Sequence, residues 1–217
     1  MLKTFLHIDS EFGRIELAGK IILVRHGETD WNKERRIQGG SSNPPLNERG
    51  RRQAGSLASR LSKNRIQAIY SSPLKRALDT AEAIARYHQI EIVVEPSLRE
   101  IEAGDLEGIT VAELGKRFSE ILIRDGLLKK VSGGESLAEL QERSWGTVQR
   151  LTKKHPEGDV VLVSHYFVIL TIICSVLELP LYQIGKLRLG TGSISIINLD
   201  DQAVWLELFN DTGSLMR

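Results

Sequence analysis

Residues 159–177 read DVVLVSHYFVILTIICSVL. From Val160 to Leu177 no residue carries a formal charge, and such a run is long enough to cross a bilayer. A polar step, Ser164-His165-Tyr166, breaks it. That step predicts a buried strand over 159–164 and a buried helix over 166–177, in place of one membrane-spanning helix. Residues 21–25, IILVR, repeat the strand half of this pattern near the other end of the chain, and the run stops at Arg25-His26.

Helical and strand periodicities alternate between these two strands. Glu48 to Ser62 places Ala54, Leu57, Ala58 and Leu61 on one helical face. Residues 67–70 are a short strand, after which Ser72 suits an N-cap and Pro73 the first position of a helix running to about Tyr87. Residues 91–94 are another strand. Thr110 with Glu113, and Ser136 with Glu139, have capping-box spacing, and the second box opens a helix to about Lys154. Residues 193–199 and 203–209 predict a hairpin turning at Asp200-Asp201. Residues 27–47, rich in Gly, Ser, Asn and Pro, read as one long loop. Residues 1–19 read as a leader with a small strand pair turning near Glu11-Phe12-Gly13, and residues 20–217 as a single domain. The alternation predicts an α/β fold: a three-layer α/β/α sandwich with a mainly parallel central sheet and a C-terminal antiparallel hairpin.

The totals narrow the functional classes. A net charge of +1 gives no electrostatic case for a nucleic-acid partner, so any anion recognition is local. The single cysteine, Cys174, permits no internal disulfide, fits a reducing cytoplasm, and lies in an apolar run that marks it as structural. Zinc-type Cys/His spacing is absent, and the first residues lack the apolar stretch of a signal peptide. A cytoplasmic protein without metal, cofactor, nucleic-acid or membrane partner is expected.

In sheets of this kind ligands bind beyond the carboxyl ends of the strands. The reactive residue types fall there: Arg25-His26 after the first strand, Ser71-Ser72 and Arg76 after the second, Arg99-Glu100 after the third, Ser164-His165 after the fourth. Arginine is permanently charged, and its fork matches phosphate oxygens. A neutral imidazole can attack phosphorus, a second can donate to its oxygens, and a carboxylic acid can protonate the leaving alkoxide. Taken singly each residue has a structural reading, and His7, His88 and His155 are assigned to it. The structural readings weaken because they must all hold together at one sheet edge.

The segments LVRHGETDWN (23–32), PLNERGRRQA (45–54), SSPLKRALDTA (71–81), LREIEAGDLEG (98–108) and VVLVSHY (160–166) together resemble the histidine phosphatase superfamily, the phosphoglycerate mutase-like family. The resemblance runs from about Lys20 to about Asn210. It implies that His26 is the nucleophile of a metal-independent phosphatase, that Arg25, Arg76 and His165 complete the phosphate pocket, and that Glu100 is the proton donor. It further implies that Asn32 adds a donor to the phosphoryl group, that Gln38 with Gly39 lines the entrance, that Glu28 and Thr29 support the loop, and that Glu135 faces substrate. The chain departs from the family pattern in a loop one residue longer at QGGSSNPPL, and at Asn43, Tyr166 and Leu106, where aspartate, glycine and tryptophan are common.

The compact stretch from Glu100 to Ser136 resembles the small phosphatase branch more than the mutases, which carry longer insertions there. The expected partner is a small phosphorylated metabolite: α-ribazole phosphate, phosphoserine, a phosphoglycerate or a sugar phosphate. A cofactor-dependent phosphoglycerate mutase and a non-catalytic phosphate-binding protein are the alternatives. The expected rim comprises residues 34–44 and 104–130. Lys33, Arg35 and Arg36 either attract a second anionic group or form a solvated face. Trp205, Leu206 and Leu208 of the last hairpin either extend a sheet across a homodimer or form an ordinary covered edge.

Overall fold

In the computed structural model, which describes residues 19–118, 132–199 and 203–213, the apolar runs become the middle of a six-stranded sheet. Its strands are β1 (Ile21–Arg25), β2 (Ile66–Ser71), β3 (Ile92–Val94), β4 (Asp159–Ser164), β5 (Ile194–Leu199) and β6 (Val204–Asp211), and their order is β3-β2-β4-β1-β5-β6. β3, β2, β4 and β1 are mutually parallel, while β5 pairs antiparallel with both β1 and β6. β4 and β1 are covered on both faces, which is why they are continuously apolar and do not alternate with polar residues.

The helices lie in two layers. Ile22, Val24, Ile69, Val161 and Val163 point to one face, where they pack with Leu57, Ala58 and Leu61 of α2 (Glu48–Leu61) and Ala77, Ala81 and Ile84 of α3 (Lys75–His88). Ile21, Leu23, Val160 and Leu162 point to the other. There they meet Leu140, Val148 and Leu151 of α5 (Leu137–Lys154) and Val168, Ile169 and Ile172 of α6 (Tyr166–Val176). Two smaller helices, α1 (Asp30–Lys33) and α4 (Val111–Phe118), sit in the connections. The charge-free run over 160–177 is thus split between β4 and α6, and among the described residues no helix is long and apolar enough to cross a membrane.

Local signals account for most helix boundaries. Both capping boxes form: Glu113 N donates to Thr110 Oγ1 (3.2 Å) while Thr110 N donates to Glu113 (2.9 Å), and Ser136 with Glu139 makes the same exchange. Two expectations are corrected. The loop over 27–47 contains α1, opened by a box in which Asn32 takes the place of the usual Glu or Gln opposite Thr29. α3 starts at Lys75, beyond Pro73, because Asn43 from that loop accepts the Lys75 N–H at 2.7 Å. Of the N–H groups leading into α3, the Ser72 hydroxyl accepts that of Leu74, at 3.3 Å. The strand pair near residues 11–13, the turn at 200–201 and the rim beyond residue 118 lie outside the described residues.

Candidate active site

Parallel pairing puts the strand ends level. Arg25 lies opposite Ser164, and Ser71 opposite Val163, so His26, Ser72 and His165 are the first residues past three adjacent strands. Glu100 arrives just after the 3-10 turn at Pro96–Leu98 that follows β3, and Arg76 comes from the first turn of α3. The His26 and His165 rings lie with centroids 5.1 Å apart, although the residues are far apart in sequence. Arg76, Glu100, His26 and His165 are all buried.

His26 presents a neutral ring with one bare nitrogen. Its Nδ1 is 2.7 Å from the Gly27 carbonyl oxygen. A carbonyl only accepts, so Nδ1 carries the hydrogen and Nε2 keeps its lone pair. Burial, reinforced by the charges of Arg76 and Arg25, holds His26 well below its ordinary pKa of 6.5, so the ring is neutral at physiological pH. The loop carrying it needs Gly27: a Cβ there would come within 2.4 Å of Gly50 O, at the start of α2.

Two arginines are aimed by main-chain carbonyls. Arg76 donates to Ser42 O (2.9 Å) and Gly39 O (3.2 Å). Arg25 donates to Leu189 O, and its guanidinium sits 4.9 Å from the centre of the Tyr166 ring. Burial lowers both to about 10, so both stay charged near neutrality. The loop that receives Arg76 is itself pinned by Glu107, whose carboxylate accepts from Gly39 N and Ser42 N.

Glu100 occupies the N-terminus of α6. One carboxylate oxygen accepts from Ile101 N (2.9 Å), the other from Phe167 N (3.3 Å). These bonds and the arginines favour the charged form, but burial outweighs them and raises the pKa above 4.5. A buried carboxyl with a raised pKa, within reach of the charges of Arg76 and Arg25, suits a proton donor.

Of the five buried nitrogens without a partner among the described residues, four belong to residues singled out for this site, Arg25 Nε, Arg76 Nε, Gln38 Nε2 and His165 Nδ1; the fifth is His88 Nε2. Each unsatisfied donor costs about 1–3 kcal/mol unless something accepts from it. The arrangement fits an anion with several oxygens, the chemistry of a phosphoryl group.

The other singled-out residues divide. Asn32 accepts from Thr29 N (3.1 Å) through Oδ1, which leaves its NH2 group to donate. Gln38 Oε1 accepts from Thr29 Oγ1 at 2.8 Å. The Gly39 N–H is taken by Glu107, so Gly39 offers no donor and acts by holding Arg76. Glu28 accepts from Asn47 Nδ2 (3.0 Å) and pairs with Arg49 (3.3 Å). The Glu135 carboxylate is held bidentately by Arg143 at 2.6 and 2.8 Å and also accepts from Glu102 N. Arg143 further donates to Ser97 O (2.7 Å) and Glu100 O (3.3 Å), so the pair props the segment bearing Glu100. Arg36 is tied to Glu34 (2.6 Å) and Gly108 O (3.0 Å), whereas Lys33 and Arg35 are exposed. His155, the C-cap of α5, contacts Tyr70 (3.0 Å). Sequence reading missed Glu107 and Arg143, because neither charge carries a local sign of its distant partner.

Residues 21–212 match the profile of the histidine phosphatase superfamily (branch 1). A phosphoserine phosphatase of Hydrogenobacter thermophilus is 35% identical over 84% of this chain and 88% of its own length. A probable phosphoglycerate mutase of Cronobacter sakazakii is 37% identical over 86% of this chain and 87% of its own. The phosphoserine phosphatase of Entamoeba histolytica, solved with 3-phosphoglyceric acid, superposes with a TM-score of 0.81 at 32% identity, covering 92% of this chain and 100% of that one.

Proposed function

The chain belongs to the histidine phosphatase superfamily, and we propose that it hydrolyses a small phosphate monoester through a phosphohistidine on His26. The observation that carries this reading is the neutral His26 ring with a bare Nε2, 5.1 Å from His165 and beside two charged arginines with unpartnered Nε groups.

In the proposed reaction the Nε2 lone pair attacks phosphorus as the ester P–O bond breaks. Glu100 gives its proton to the departing alkoxide oxygen. A water molecule then attacks the phosphohistidine, Glu100 takes a proton from it, and the P–N electrons return to Nε2. Arg25, Arg76 and His165 balance the charge on the equatorial oxygens, the task a divalent ion performs elsewhere. The scheme requires neither metal nor cofactor. Relatives named phosphoserine phosphatase make phosphoserine the first ester to test. α-Ribazole phosphate, phosphoglycerates and sugar phosphates follow.

A mutase is the second reading, favoured by the relative of that name. It would show interconversion of 2- and 3-phosphoglycerate dependent on a bisphosphate primer. The deciding experiment is rapid quenching with a labelled aryl phosphate in the presence of chelator. We expect an alkali-stable, acid-labile phosphoenzyme that is absent from His26→Ala. A strict divalent-ion requirement, or full labelling of His26→Ala, would refute the proposal.

A further inference from the structure

We propose that Ser72 is a positioning residue that holds His165 in the tautomer with hydrogen on Nδ1, so that the second imidazole presents a donor to the phosphoryl oxygens. The role assigned to that donor rests on the phosphatase reading; the tautomer itself does not.

Ser72 and His165 end adjacent strands, and Ser72 Oγ lies 2.7 Å from His165 Nε2. Distance alone does not say which atom donates. The third partner decides it. Leu74 N–H donates to Ser72 Oγ at 3.3 Å, so that oxygen already accepts one hydrogen. If Ser72 donates its own hydrogen to Nε2, the Leu74 N–H, the Ser72 hydroxyl and His165 Nε2 are all satisfied, and the imidazole hydrogen falls on Nδ1. In the opposite arrangement Ser72 Oγ accepts twice. Its own hydrogen then has no other acceptor among the described residues, at a side chain with 0% exposure. The cost of such an orphan donor favours the first arrangement.

His165 Nδ1, also buried, has no partner among the described residues. In the first tautomer it is a free donor beside His26 and the arginines. In the second it would turn a lone pair towards the oxygens it has to stabilise. The ring stays neutral, since burial and the charge of Arg76 hold it well below 6.5, so its tautomer rather than its charge decides whether it can donate. Asn43 caps the Lys75 N–H, which frees Ser72 from the helix-capping duty its sequence position suggests.

The test is a long-range proton–nitrogen spectrum of ligand-free enzyme labelled with 15N-histidine, recorded above pH 7. Protonated and bare ring nitrogens resonate far apart. For His165 we expect hydrogen on Nδ1 in the unsubstituted enzyme and a shift of population towards Nε2 in Ser72→Ala. Turnover of an aryl phosphate by Ser72→Ala should fall about 10- to 100-fold, the worth of one hydrogen bond to a charged group. Ser72→Thr, which keeps the hydroxyl, should recover most of the loss and the original tautomer. Hydrogen on Nε2 in the unsubstituted enzyme overturns the proposal, and so does a slow Ser72→Ala enzyme with an unchanged tautomer. An Nδ1-protonated His165 in a protein that hydrolyses no ester would support the tautomer assignment and sink the phosphatase reading alone.

Discussion

Replacing Glu100 with glutamine separates proton donation from every other task of the site. The variant keeps shape and volume but cannot give up a proton at neutral pH. General-acid assistance contributes about 10²- to 10⁴-fold when the leaving group is a poor one. An alkyl ester such as phosphoserine releases a strongly basic alkoxide, so Glu100→Gln should lose turnover on that scale. An activated aryl ester needs little protonation and should lose about tenfold or less. The structure adds a second effect. Both Glu100 oxygens accept main-chain N–H groups, from Ile101 and Phe167. An amide can accept only one of them, and its NH2 group then faces the other N–H. That clash costs about 1–3 kcal/mol. For a chain of this length it lowers Tm by about 2–4 °C per kcal/mol. Measuring kcat/KM on alkyl and aryl esters, with thermal melts alongside, keeps the two effects apart. Equal slowing on both esters would refute the proton-donor role, because misfolding or misplacement does not discriminate between leaving groups.

Tyr166→Ala should remove the ring beneath Arg25 and lower kcat/KM by about 3- to 30-fold, as expected for a cation–π contact of about 0.5–2 kcal/mol. Tyr166→Phe should retain most activity; comparable losses in both variants would shift the weight to the hydroxyl, which reaches Leu187 O at 3.4 Å. Arg143→Ala leaves Glu135, with 14% side-chain exposure, short of its partner. Discounting the fully buried figure for partial exposure, we expect about 2–3 kcal/mol of lost stability, measured by denaturant titration. Glu135→Gln combined with Arg143→Ala should lose less than the single variant, since the stranded charge goes too. The folded chain keeps His26 and His165 neutral below their ordinary 6.5, whereas the unfolded chain protonates both. Stability should therefore fall as pH drops below about 6.5, by up to about 1.4 kcal/mol per pH unit for each ring. Glu100, with its pKa raised above 4.5, acts in the opposite sense: its contribution is complete below 4.5 and fades as pH rises through its folded value. A Tm that is flat between pH 6.5 and 5.5, or unchanged in slope in His26→Gln, would contradict the buried-neutral assignment.

The amino-acid sequence by itself determined which segments pair and which ends carry chemistry. IILVR and DVVLVS are apolar on both faces, the pattern of strands covered by helices on both sides, and this is what let Arg25-His26 and Ser164-His165 be read as sharing one edge of the sheet. Capping boxes at Thr110 and Ser136 were equally legible, because their partners lie three residues apart. Tertiary structure alone decided the rest. Asn43 moves the start of α3, Arg143 claims Glu135, Glu107 pins the loop that aims Arg76, and Ser72 reaches His165. A hydrogen bond between distant residues leaves no period in the chain. It exists because β4 enters the sheet between β2 and β1, and that order sets which side chains come within 3 Å of one another.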